Sequence, residues 1–168
     1  MGTVKDLDRG EAIKQMKKMA EDIGICMFCT DSGKLPFETR PMGTQEVDDE
    51  GNFWFLSAAE SDKNAEIRMD HKVQLIYAKP SDAHFMTVYG TATVSKDKNK
   101  IDELWNDFAK AWFREGKDDP RLTVICVKPE SAHYWDTKYG KMISLLAIAV
   151  SAVTSKEIDT GIEGKLNV

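Results

Sequence analysis

Apolar positions along this chain follow two rhythms, one helical and one alternating. Over 9–22, and on to Ile23, they fall at Ile13, Met16, Met19 and Ala20, the spacing of one helical face, with Asp8 placed to cap it. Short runs rich in aromatic and β-branched residues then predict strands at 23–30, 53–57, 73–78, 84–94 and 122–127. Gly90 predicts a bulge in the fourth of these, and Pro129 breaks the last. Turn signals separate them: Asp31-Ser32-Gly33-Lys34, Asp48-Asp49-Glu50-Gly51 and Lys79-Pro80-Ser81-Asp82. A more polar segment, 35–47, reads as a second strand interrupted by Pro41, the mark of an edge or a bulge. The acidic turn at 48–51 returns it, antiparallel, into 53–57.

Asp97 caps a helix predicted to run to about Glu115, with Ile101, Leu104, Trp105, Phe108 and Trp112 on one face. Residues 116–120 stop it. Tyr134-Trp135 lies in 131–136, a small-residue apolar helix is expected at 141–154, and a closing strand at 164–168. Six or so hairpin-connected strands with peripheral helices predict a mainly β protein, an antiparallel barrel whose closure removes exposed edges.

The stretch 53–69 carries the first chemical signal. A strand at 53–57 is followed by a turn, by Ser61 as an N-cap, and by a helix over 62–69. Ser57, Ser61 and Lys63 gather at that junction. A helix start presents free N–H groups and partial positive charge, so two hydroxyls and an ammonium beside it form a seat for phosphate. The ordinary alternative is a capped helix after a strand. The hairpin at 48–51 brings Arg40 back towards the same junction as a second cation; its ordinary alternative is a surface ion pair with Glu38 or Asp62.

The 168 residues point to a single domain spanning 1–168. A net charge of −5 argues against nucleic acid and anionic membranes as partners. The N-terminus is too polar for a signal peptide, and the longest apolar run, 143–150, is too short to span a bilayer. Three cysteines without secretory context predict a reducing cytoplasm. Cys26 and Cys29 are three apart on a predicted strand, so they point to opposite faces roughly 10 Å apart, as core thiols and not a disulfide. Cys126, His71, His84 and His133 are scattered, and no metal site is expected.

The ordered series Arg40-Pro41-Met42, then Gly51 to Ser57 reading Gly-Asn-Phe-Trp-Phe-Leu-Ser, then Ser61-x-Lys63, resembles the pyridoxamine-phosphate-oxidase-like flavin-binding proteins. More narrowly it is similar to the general stress protein 26 group. Val88-Tyr89-Gly90-Thr91-Ala92, Leu104-Trp105-Asn106, Trp112-Phe113, Asp118-Asp119-Pro120 and Tyr134-Trp135-Asp136 match that group's further landmarks, so the likeness covers about 8–168. It implies a split β-barrel that binds FMN at a homodimer interface. Carried over residue by residue, it places Arg40 and Lys63 on the FMN phosphate, helped by Ser61. It sets Met42 beside the flavin ring, and Leu56 and Ser57 against the ring or ribityl chain. Trp135 would approach the ring from the other subunit.

Three departures separate the chain from the true oxidases: Asp62 stands where they carry arginine, Phe85 where they use glutamine, and their C-terminal Arg-x-His is absent. The cofactor therefore carries over and the substrate does not. The resemblance implies an FMN-dependent oxidoreductase of unknown substrate. The alternative is a flavin-binding stress protein without turnover, acting as store, scavenger or redox sensor. A deazaflavin or haem in the same fold is a further alternative. His84, His133 and Tyr134 are candidate acids or bases by residue type only.

Overall fold

The computed structural model describes residues 3–31, 33–107, 109–137 and 161–167. Among the described residues nine strands join one sheet: β1 (Thr3–Val4), β2 (Ile25–Thr30), β3 (Glu38–Gly43), β4 (Glu46–Val47), β5 (Phe53–Ala58), β6 (Lys72–Lys79), β7 (His84–Ser95), β8 (Leu122–Thr137) and β9 (Gly161–Leu166). Their order is β1-β9-β8-β7-β6-β2-β3, with β5 added to β8 and β4 added to β5. β8 branches: its first residues pair with β5 and its last with β9, while β7 runs along its other edge. The chain crosses from β3 to β4 through Thr44 and Gln45, whose N–H groups donate to Gly24 O and Trp54 O, both at 2.9 Å. That crossing carries the sheet round to β5 and curls it into the expected split barrel.

Alternation decides what fills it. In β5, Phe53, Phe55 and Ser57 face the interior, and Trp54, Leu56 and Ala58 face the other way. Phe55 meets Phe28 edge-on, ring centroids 5.2 Å apart, among Leu75, Tyr77, Met86, Val88 and Ile125. Each such side chain withdrawn from water stabilises the fold by about 1.5–3 kcal/mol. Helix α1 (Arg9–Ile23) packs on this core through Ala12, Met16, Met19 and Ala20, with Asp8 accepting from the Glu11 N–H at 2.9 Å as cap. A second cluster, Ile101, Leu104, Phe113, Leu122 and Val124, lies between the outer side of β5 and helix α3 (Lys98–Leu104), with Trp54 and Leu56 packed against it. Helix α2 (Asp62–Met69) follows β5. Among the described residues no helix is long and apolar enough to cross a membrane.

The structure departs from the sequence reading in four places. Segment 35–47 is two strands: β3 pairs with β2, and only Glu46 and Val47 make the hairpin with β5. β8 passes straight through Pro129. The β7–β8 register shifts between Tyr89 and Gly90, which leaves Glu130 unpaired in the ladder and gives proline a place without a ladder N–H. α3 ends at Leu104, because Asn106 Oδ1 accepts the Ala109 N–H at 3.1 Å and starts a separate 3-10 turn at Ala109–Ala111. Trp112 is then 69% exposed, and Phe108 lies outside the described residues. The closing strand is Gly161–Leu166, and the helix expected at 141–154 lies outside the described residues.

Candidate functional site

The site is built on the join of β5 and α2. Ser57, the last inward-facing residue of β5, donates through its hydroxyl to Asn64 Oδ1 at 2.8 Å. Asn64 Nδ2 donates to Ala58 O at 2.9 Å and to Thr123 Oγ1 at 3.0 Å, and the Thr123 hydroxyl donates to Ser57 O at 2.8 Å. All three polar side chains are buried and satisfied, so the network fixes α2 against both β5 and β8. Ser61 is the N-cap by backbone conformation, yet its hydroxyl makes no capping bond; it lies 3.3 Å from Ser57 Oγ.

Arg40 reaches the same place from β3. Its Cα partner on β2 is Phe28, so its side chain shares the inner face with Phe28 and Thr30. Nη1 donates to Thr30 Oγ1 at 2.5 Å and Nη2 to Glu66 Oε2 at 2.8 Å, and the Thr30 hydroxyl also donates to Glu66 Oε2. Arg40 is therefore brought to α2 by the β2–β3 pairing and not by the hairpin. Its carboxylate partner is Glu66, neither Glu38 nor Asp62. One turn before Glu66, Lys63 is half-buried. Burial first, and the Arg40 charge second, hold its ammonium below the usual lysine pKa. Among the described residues Lys63 has no hydrogen bond or ion pair. Ser57, Ser61 and Lys63 thus lie at the start of α2, and Arg40 reaches the same helix at Glu66, one turn on, close enough for its charge to act on Lys63.

Of the other expected residues, Met42 shares the Arg40 face of β3 and packs against the main core. The Leu56 side chain lies on the opposite face of β5 from Ser57, in the cluster beneath α3, so towards the Ser57 side Leu56 offers only backbone. Trp135 is 36% exposed on the outer face of the sheet, its ring centroid 4.5 Å from that of His133. Within one chain it lies on the other side of the sheet from Arg40.

Thr30, Asn64 and Glu66 escaped the sequence reading. Asn64 carried a signal: it lies three residues before Ile67, the buried apolar residue of α2, and so on the inward face. Glu66 carried none beyond its place one turn after Lys63.

A second polar group ties α1 to the β6–β7 turn and the end of β8. Lys79 Nζ lies 2.6 Å from Asp22 and 2.8 Å from Asp82; the two ring nitrogens of His84 lie 3.0 Å from Asp22 and 2.9 Å from Asp136. Asp22, Asp82 and His84 converge as metal ligands would, but the Lys79 ammonium already serves both aspartates as the local cation. Hydrogen bonds from Lys79 and then His84 hold the Asp22 carboxyl below its usual pKa. The thiols are structural: Cys26, Cys29 and Cys126 are free, and burial pushes Cys26 up to about 12 and Cys126 up to about 11.

Against this geometry, a family described as "Pyridoxamine 5'-phosphate oxidase like" matches residues 11–159. Protein bli-3 of Neurospora crassa is 26% identical over 110 residues, covering 61% of this chain and 53% of that protein. The chain thus spans about half the length of this relative. A Jannaschia sp. CCS1 structure, provisionally named general stress protein 26, superposes with a TM-score of 0.80 at 23% identity, over 94% of this chain and 99% of that one. The general stress FMN/FAD binding protein of Xanthomonas citri superposes with a TM-score of 0.63 at 24% identity, over 74% and 87%. At these identities the two structures establish a common fold.

Proposed function

The chain belongs to the pyridoxamine 5'-phosphate oxidase like family, and on that premise we propose that it is an FMN-binding flavoprotein acting as an oxidoreductase. One observation carries the reading: a half-buried lysine with no partner among the described residues stands beside an arginine, at a helix start flanked by two hydroxyls. This donor set suits a phosphate monoester. Arg40 spends one N–H on Thr30 and one on Glu66, which leaves Nε–H and one hydrogen on each terminal nitrogen to donate. Lys63 adds a point charge, and Ser61 adds a hydroxyl unspent on capping. The Xanthomonas citri protein of this fold is named for FMN/FAD binding, in keeping with a flavin as the phosphate's bearer.

In this reading Arg40 and Lys63 anchor the phosphate, Ser57 and the Leu56 backbone line the ribityl or ring portion, and Met42 lies on the strand beside it. A bound flavin supplies the hydride or electron chemistry, and the chain supplies binding and orientation. Trp135 reaches the ring from a second copy. The outer sheet face supports such a homodimer: Ile25, Met27, Ile76, Phe85 and Trp135 are 57, 41, 37, 37 and 36% exposed on neighbouring strands β2, β6, β7 and β8. Ile76→Glu together with Met27→Glu is expected to yield monomers by light scattering. The three free thiols suit a reducing compartment such as the cytoplasm.

The test is reconstitution with FMN under anaerobic conditions, with NADH or NADPH supplied and the flavin absorbance followed. Bleaching establishes an oxidoreductase half-reaction. Saturable FMN binding with no reduction by either donor would assign the chain to flavin storage or sensing instead.

A further inference from the structure

We propose that Glu66 is an internal anion that competes with the ligand's phosphate for Arg40, so that the flavin is held exchangeably; the proposal rests on the phosphate seat described above. The geometry is specific. One carboxylate oxygen, Glu66 Oε2, takes both the Arg40 Nη2 donor at 2.8 Å and the Thr30 hydroxyl. The side chains of Arg40 and Glu66 are only 22% and 19% exposed, so the pair is shielded from water and interacts at a lowered effective dielectric.

Glu66 also follows Lys63 by one turn on the same helix, and its charge reaches the lysine, as does that of exposed Asp62. The arriving phosphate therefore meets an Arg40 already paired with a carboxylate, and a Lys63 that is unpaired among the described residues but feels the charges of Glu66 and Asp62. It must either displace Glu66 from Arg40 or bind beside it against its repulsion. Both routes weaken the phosphate contact without touching the rest of the ligand.

A purely positioning role for Glu66, steadying Arg40 for the ligand, predicts the opposite sign, and a neutral isostere separates the two. Glu66→Gln keeps the side-chain shape and a carbonyl that still accepts from Arg40 and Thr30, and removes only the charge. FMN and riboflavin are titrated into the full-length wild type and variant. The expected result is FMN binding tightened roughly tenfold, from removal of one like charge near the phosphate. Riboflavin, which lacks the phosphate, is expected to stay within about twofold. Glu66→Ala serves as the second variant: competition predicts tighter FMN there as well, and positioning predicts weaker.

Wild type that prefers FMN to riboflavin, with FMN affinity unchanged or weakened in both Glu66 variants, overturns the competition and leaves the phosphate seat standing. Folded wild type and variants that all fail to bind FMN overturn the seat itself, and the competition with it.

Discussion

Removing both cations, Arg40→Ala with Lys63→Ala, tests the seat at its centre. Arg40 has three N–H donors to spare for a phosphate. A charge-assisted hydrogen bond contributes about 1.5–3 kcal/mol. Arg40→Ala also strips Glu66 of its partner where that carboxylate is 19% exposed, leaving a lone anion facing the ligand. Lys63 contributes a single half-buried charge, and because both residues grip one phosphate their effects do not add. The joint loss is expected to be about 2–5 kcal/mol, a weakening of FMN from about 30-fold to several thousand-fold.

The assay is quenching of flavin fluorescence on titration, run in parallel with riboflavin. Riboflavin affinity is expected to hold, because in the proposed arrangement both side chains grip the phosphate alone. Melting of the Arg40→Ala single variant is expected to fall by about 1–3 kcal/mol, since the Thr30–Glu66 side of the network loses its cation. If the double variant binds FMN within threefold of wild type, neither residue holds the phosphate and the reasoning fails.

Other outcomes follow from the scaffold. Asn64→Ala removes three hydrogen bonds, two of them buried, and takes from the Ser57 hydroxyl its acceptor and from Thr123 Oγ1 one donor, so unfolding in urea is expected to show a loss of about 2–4 kcal/mol, with FMN affinity falling as α2 loosens. At Gly90 a Cβ would sit 2.2 Å from Lys128 O, a backbone atom that cannot swing aside; Gly90→Ala is expected to cost about 2–4 kcal/mol by thermal melting. Asp22 has a folded pKa depressed below 3.8 by Lys79 and then His84, so its stabilising effect is complete above 3.8 and is lost as pH falls through the folded value. Asp22→Asn is therefore expected to flatten the fall of melting temperature with acid below about pH 4, and an unchanged slope would remove the clasp from the account.

The parts of the fold that were legible in the sequence are those where one local rule acts alone. The strand–turn–helix at 53–69 was readable because the Phe53-Trp54-Phe55 run, the cap-type Ser61 and the helical composition after it all agree. The inward face of α1 was readable from its spacing. What failed involved two segments at once. Pro129 reads as a strand breaker until its pairing with β7 is known: β8 bulges at Glu130, opposite Gly90, and that bulge admits the proline. The switch of partners at Thr44 and Gln45 carries no turn residue, because the two N–H groups are satisfied by distant carbonyls and not by local geometry. The stripe from Ile101 to Trp112 has helical period, yet the Asn106 side chain captures the backbone and ends the helix.

The site followed the same division. Arg40, Ser57, Ser61 and Lys63 could be nominated by residue type and position. Glu66 could not, because its meaning lies in a pairing across to β3 that no spacing in the sequence encodes. The apolar outer face was hidden for a related reason: Met27, Ile76, Phe85 and Trp135 come from four strands and form a patch only after pairing.

The most direct measurement compares FMN with riboflavin as ligands of the wild-type protein, by equilibrium titration of flavin fluorescence. Saturable binding of one FMN per chain, with riboflavin held at least tenfold more weakly, is the result expected of a phosphate clasped by Arg40 and Lys63. Equal affinities for the two, or no saturable binding of either, would contradict it.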